Sequence, residues 1–464
     1  MNDVIPAEQK FPKTFWTANT IELFERAAYY SMASFMVIYL KESLGMRPTV
    51  ATFLNGSLLW GLIYFLPILS GTLADKFGYK RLLTLSFFMI SLAYFVLGNV
   101  QKFWPGLSQK FWPGLSGHQA AETIDYTLPI VLGILLLGMG GSIVKPCIAG
   151  TVQKTAGTRA TLGFGVFYMI INIGSITGRG VSYFIRKILG LGIPAIFTYA
   201  SAIFALIGLA VVLFIYKEPE YVSDGKKDSQ QVQKKTLGQA ILGIFIVLRN
   251  IKFVFFLIVI GLFWVPYTQL YNLMPLFLRF IDPNAAVELY TLTNPVMIVS
   301  LQLLITKMVK KWPPVKSMLF GAAVITAGML VNVLPPLVFS DVARKVSFLG
   351  LALPLAGIFM IISIASMAMG EMLASPRIYE YLGAIAPKGQ EGLYLGYVNL
   401  PIALGSIISG LLGGALFEKF ITTPQKNGLA VNIAPMWLII TGISVLSMIG
   451  LAVYDRLVGK TKKK

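Results

Sequence analysis

Runs of about 20 apolar residues, the length that spans a hydrocarbon core, recur along almost the whole chain. Twelve are read from the sequence, roughly at 16–40, 50–74, 80–99, 127–151, 160–184, 192–216, 252–278, 287–309, 316–338, 347–384, 391–417 and 431–455. Each is long enough for a helix, and too long and uniformly apolar for a barrel strand. Several contain Gly and Pro, which membrane helices tolerate where neighbours satisfy the freed backbone groups. The pattern predicts an all-α integral membrane protein with 12 transmembrane helices. One stretch breaks it. Lys217–Lys235 reads KEPEYVSDGKKDSQQVQKK, polar and Gln-rich, the composition of a linker. It divides the chain into a six-helix bundle at 1–216, a cytosolic linker at 217–251 and a second six-helix bundle at 252–464.

Six spans, a cytosolic linker and six more spans is the layout of the major facilitator superfamily fold. Composition agrees: 56% of the residues are hydrophobic and 13% charged, against about 25% charged in soluble domains. A soluble enzyme, a disordered chain and a DNA-binding domain are excluded as first readings. The net charge of +19 would suit nucleic acid or anionic lipid, and position decides between them. With the N-terminus inside, 24 of the 39 Lys and Arg fall on inner segments, eleven on outer segments, and four within spans. The excess is loop charge facing anionic lipid. No nucleic-acid partner is expected; the partners are the lipid bilayer, a solute and an ion. The expected location is the cell (inner or plasma) membrane, multi-pass, with both termini cytosolic and the chain monomeric. Met1–Lys13 is polar and lacks the apolar core of a cleaved leader.

Three local features add little chemistry. QKFWPGLS occurs twice in tandem, at Gln101–Ser108 and Gln109–Ser116, too short a unit for a repeat fold. It reads as a duplication in an outer loop, where insertions are tolerated. His118, the lone histidine, lies in the same loop and reads as a solvated surface residue. Cys147 is the sole cysteine, so no intrachain disulfide framework exists. No serine–histidine pair, histidine cluster or metal-ligand spacing is found. The chain is therefore not expected to be an enzyme or to hold a metal or organic cofactor.

Ionisable groups inside spans are costly and mark function. Seven stand out: Glu22, Glu25, Arg26, Lys145, Arg179, Glu371 and Arg377. In Glu22-x-x-Glu25-Arg26-x-x-Tyr29-Tyr30 the spacing repeats at the helical period, so the five side chains share one face. That face is either an internal ion pair of Glu22 with Arg26 or the lining of a polar cavity. Burial disfavours a carboxylate's charge and a neighbouring cation favours it. A solute competing for the cation would thereby change proton affinity, the physical basis of proton coupling. Lys145 either snorkels to the inner interface or pairs with Glu22 or Glu25. Glu371 has no cation within one turn upstream, so it is either protonated or turned toward a cationic group such as a substrate ammonium. Glu380 lies nearer a span end and is read as solvated.

Together these residues resemble the proton-dependent oligopeptide transporter family. ELFERAAYY in span one resembles that family's ExxERFxYY, with Ala27 replacing its Phe. Gly71-Thr72-Leu73-Ala74-Asp75-Lys76-Phe77-Gly78-Tyr79-Lys80-Arg81 is similar to the cytosolic loop motif of the wider superfamily, and Tyr64 precedes Asp75 by eleven residues. Phe167-Tyr168-Met169-Ile170-Ile171-Asn172-Ile173-Gly174-Ser175-Ile176 is close to the signature FYxxINxGSL. VKPC keeps the span-four lysine and proline, with Cys147 where Asn is usual. Phe263-Trp264 with Gln269, Asn294-Pro295, and Gly370-Glu371 with Ser375-Pro376 match the second half. The resemblance covers roughly residues 12 to 450. The motifs of spans one and five are specific; the short matches of the second half are weak singly.

The resemblance implies proton-coupled symport of di- and tripeptides by alternating access, with the proton as the coupling ion and no other cofactor. It implies that Arg26 and Lys145 face the peptide carboxylate through charge-assisted bonds and Glu371 faces its amino terminus. Tyr29, Tyr30, Tyr64 and Asn172 would orient the peptide, and Trp264, Asn294 and Ser375 would complete the second half of the site. Glu22 and Glu25, with Lys145, would carry the proton. Departures accompany the match. The second arginine of the span-one motif is Ala33, and its acidic partner is Thr268, so the outer gate is expected to lack that latch. Val398 stands where a tryptophan is frequent, Arg179 follows the span-five signature unexpectedly, and the linker carries no extra apolar helices. These departures keep open a transporter of the same fold for another small anion or amino-acid-like solute, such as nitrate or a modified amino acid. Drug efflux by proton antiport is a further alternative.

Overall fold

The computed structural model describes residues 10–111, 124–219, 238, 249–348, 350–385 and 397–461. Most of the 217–251 linker, His118, the end of the second octapeptide and the start of the eleventh apolar run lie outside the described residues.

The described chain is built of long helices. In the first half these are α1 (Lys13–Ala33), α2 (Pro48–Ala74), α3 (Tyr79–Phe111), α4 (Thr127–Ala156), α5 (Ala160–Tyr183) and α6 (Ile193–Phe214). In the second they are α7 (Ile251–Ile281), α8 (Val287–Val309), α9 (Pro314–Val338), α10 (Leu355–Ile385), α11 (Leu400–Lys426) and α12 (Ala434–Thr461). Ten are long and apolar enough to cross a membrane. The other two are α1, which carries Glu22, Glu25 and Arg26, and α5, which carries glycines, Asn172 and Arg179. Phe214, Ile251 and Leu303 stand more than 80% exposed. An apolar exterior of this kind suits lipid and not water, as in a multi-pass membrane protein.

Helix ends follow local chemistry. Pro48 and Pro314 start α2 and α9 at the position where a missing N–H costs nothing. Gly78, at φ 89°, makes the sharp link from α2 to α3. The Asn250 side chain accepts the Phe253 N–H at 3.2 Å and caps α7. Inside α7, Pro266 is followed by a tightened turn in which Gln269, Leu270, Tyr271 and Asn272 each donate to the carbonyl three residues back. The helix resumes at Leu273.

Two expected boundaries are corrected. The run at 347–384 is not helical throughout. Lys345–Phe348 (β1) and Leu351–Pro354 (β2) pair antiparallel, and the helix begins only at Leu355. Gly350, at φ 80°, supplies the turn. The first octapeptide copy is helix, not loop, because α3 continues to Phe111. There the Trp104 indole is buried and donates to the Asp125 carbonyl at 2.8 Å, so packing overrides the loop-like Pro-Gly.

By the charge count, the end bearing the chain termini is termed inner. The polar bonds between the halves gather toward the other, outer end. The Asn55 amide donates to the Tyr271 carbonyl and to Asn272 Oδ1, both at 3.0 Å. Arg186 grips Glu288, Arg279 meets Glu42 at 2.6 Å, and Arg47 meets Glu418 at 2.7 Å. A Cβ on Gly56 would stand 2.7 Å from the Gly410 Cα, so α2 and α11 touch backbone to backbone.

Candidate functional site

α1 meets α5 through two small residues one turn apart, Gly174 and Gly178. A Cβ at Gly174 would lie 2.7 Å from the Arg26 Cβ and 2.8 Å from the Leu23 carbonyl oxygen. This approach presses the charged face of α1 into the interior, and Glu22, Glu25, Arg26 and Tyr29 are all buried. The Arg26 Nε bonds Glu25 and stands 3.4 Å from Glu22 Oε1. Its guanidinium lies 5.2 Å from the Tyr29 ring centroid and 5.9 Å from that of Tyr30. The Glu22–Arg26 ion pair therefore exists, and it belongs to a larger polar cluster.

Lys145, on α4, is placed differently from expectation. Among the described residues it makes no ion pair with Glu22 or Glu25. Its ammonium sits 4.8 Å from the Tyr64 ring centroid, on the neighbouring α2. The reason is local: Arg26 already occupies both carboxylates on its own helix. Tyr64 continues an aromatic row, with Trp60 at 5.5 Å from Tyr64, 6.2 Å from Tyr29 and 4.9 Å from Tyr271. The row thus crosses from the first half to the second. The Asn172 amide donates to its own helix, at the Tyr168 carbonyl 3.0 Å away.

On the second half, the Tyr267 hydroxyl donates to Glu371 Oε2 at 2.7 Å, and the Asn294 amide donates to the same oxygen at 3.3 Å. Trp264 packs edge-on to Tyr267 at 4.9 Å and fixes its ring. Glu371 is thus held by two neutral donors. Ser375 follows Glu371 by one helical turn and is half-buried. Arg377 belongs elsewhere: it donates to the Val309 carbonyl and to Glu380 at 2.5 Å, tying α10 to α8 near the inner end. No cluster of metal-ligating side chains occurs among the described residues.

No ion pair joins positions 33 and 268, as the substitutions there require. Ala33 and Thr268 are buried, and the Thr268 hydroxyl turns back to the Trp264 carbonyl. Other residues close that end. Glu288 has no exposed side-chain surface and accepts from Arg186 at 2.9, 3.0 and 3.3 Å. Arg186 also donates to the Ala285 carbonyl, and Lys187 to the Asn284 carbonyl. Sequence reasoning passed over Glu288 because it stands at the edge of an apolar run, where charge reads as solvated. Tyr267 and Tyr271 were missed as well. Their i, i+4 spacing beside Gln269 was the available signal.

A Major Facilitator Superfamily model matches residues 21–344. The dipeptide and tripeptide permease A of Pectobacterium carotovorum subsp. carotovorum (strain PC1) is 28% identical over 170 residues. That of Escherichia coli (strain K12) is also 28% identical over 170 residues. Each alignment covers 36% of this chain and 29% of the permease, so the match spans less than a third of those relatives' length. Solved structures share the fold. A peptide transporter POT in complex with sulfate superposes with a TM-score of 0.69 at 19% identity, over 96% of this chain and 95% of that one. A POT family transporter in complex with 5-aminolevulinic acid gives 0.69 at 18% identity, over 96% and 97%.

Proposed function

Because the chain belongs to the Major Facilitator Superfamily, we propose that it carries di- and tripeptides into the cell together with protons, by alternating access. One observation carries the proposal: each half supplies one pole of charge, and the aromatic row crosses between them. Arg26 and Lys145 lie in the first half; Glu371, held by Tyr267 and Asn294, lies in the second. A short peptide is a zwitterion whose carboxylate and ammonium match those two poles. The aromatic row of Tyr29, Trp60, Tyr64 and Tyr271 offers hydroxyls and ring faces that do not depend on peptide side chains.

Proton coupling is assigned to Glu22 and Glu25. Both share Arg26, and both oxygens of the buried Glu22 lack a hydrogen-bond donor. A peptide carboxylate that drew Arg26 away would leave a buried carboxylate uncompensated, and proton uptake would relieve that cost. The reverse proton loss would accompany release. The chain acts as a monomer in the plasma membrane, termini inside, with the proton as its coupling ion.

A second reading is an amino-acid-like solute. It is favoured by the 5-aminolevulinic acid bound to one structural neighbour, an amino acid zwitterion with no peptide bond. Thermal shift of the purified protein separates the two. Dipeptides should stabilise it, and stabilisation should vanish in Glu371→Gln. Stabilisation by 5-aminolevulinic acid but by no member of a mixed dipeptide pool would replace the first reading with the second.

A further inference from the structure

Arg179 has no part in the peptide scheme, yet it is 1% exposed. No carboxylate lies within ion-pair distance of it among the described residues. Its donors meet neutral oxygens only: Nε to Thr291 Oγ1 at 3.0 Å, Nη2 to the Tyr271 hydroxyl at 2.9 Å, and Nη1 to the Ser175 carbonyl and hydroxyl. A buried charge so placed is tolerated only while every such bond is kept. Two of the acceptors belong to the opposite half, on α7 and α8. Thr291 is also joined to the Ser34 hydroxyl at 2.8 Å. Two turns further along the same strip, Arg186 meets Glu288, one turn before Thr291 on α8. The α5–α8 seam therefore has two rungs, an ion pair at the rim and Arg179 at depth.

The deeper rung touches the central cluster. The Arg179 guanidinium lies 4.7 Å from the Tyr30 ring centroid, so Tyr30 is contacted by both Arg26 and Arg179. Tyr271, which accepts from Arg179, packs at a tilt against Trp60. We propose that Arg179 is a positioning residue that holds the outer end closed and senses the central cavity through Tyr30 and Tyr271. Its cross-half bonds exist in the outer-closed state alone, and on opening water replaces them. The proposal rests on the transporter reading only in requiring two alternating states; it does not depend on which solute is carried.

Cysteine labelling tests it without any transported solute. The sole native cysteine, Cys147, is buried, so Ser34→Cys places a near-isosteric reporter in the seam. In detergent, the maleimide labelling rate at this position reports outer opening. Arg179→Leu should raise it about tenfold or more, the shift from losing one charge-assisted bond in a two-state equilibrium. Arg179→Lys should reduce that rise, and Tyr271→Phe should produce a smaller rise, with Cys147 labelling unchanged throughout. Parent-like rates in both R179L and Y271F would overturn the proposal, as would a rise in R179L that R179K does not lessen. If R179L also exposes Cys147, its fold is lost and Y271F decides: a parent-like rate there overturns the proposal, and a rise sustains it.

Discussion

Replacing Glu288 with Ala deprives Arg186, whose side chain is 12% exposed, of its carboxylate. Three bonds to Glu288 are lost, and the Ala285 carbonyl at 2.9 Å remains. Breaking one partner of a buried ion pair costs about 3–5 kcal/mol. In the outer-open state both side chains would be hydrated, so the cost falls on the closed state alone. The closed-to-open ratio should then fall about 150- to 4,000-fold, since about 1.4 kcal/mol is a factor of ten. The Ser34→Cys labelling rate reads that ratio. A cycle of Glu288→Ala, Arg186→Met and the double variant separates pair loss from stranded charge. The double variant leaves no lone buried charge, so it should recover most of the closed population. The reasoning is refuted if E288A labels like the parent, or if the double variant opens as far as the two single effects combined.

Three further outcomes are expected. Gly174→Ala would drive a Cβ against Arg26 and the Leu23 backbone, prying α1 from α5 at about 1–3 kcal/mol, visible as a lower thermal unfolding midpoint in detergent. Arg47→Ala should leave both stability and seam labelling unchanged, because the Arg47 side chain is 75% exposed and surface pairs contribute little. Glu371→Gln keeps the Tyr267 and Asn294 contacts but removes the negative pole. It should weaken dipeptide binding by tenfold or more in a competition assay, while a peptide with a blocked amino terminus is unaffected.

Much of the architecture was legible because a membrane helix declares itself locally. Twenty apolar residues and the scarcity of charge suffice for ten of the described helices. The charged face of α1 was legible for the same reason, since residues 22 to 30 are placed by one helix's own period. What failed to show depends on partners distant in sequence. Arg179 could be seen as an oddity but not paired with Tyr271 or Thr291, which lie on α7 and α8. Lys145 was expected at a carboxylate, and its place over the Tyr64 ring depends on how α4 packs on α2. Glu288 carries no local sign of Arg186, its partner 102 residues away in sequence. The β1–β2 hairpin was hidden because its apolar residues merge with the start of α10 in any hydropathy window.

The central claim is most directly tested by uptake of a labelled dipeptide into proteoliposomes under an imposed inward proton gradient. Accumulation above the external concentration is predicted, collapsing when the gradient is dissipated and lost in Glu371→Ala and Lys145→Ala. Uptake that ignores the gradient would contradict the coupling through Glu22, Glu25 and Lys145. Uptake undiminished in both variants would contradict the two-pole site.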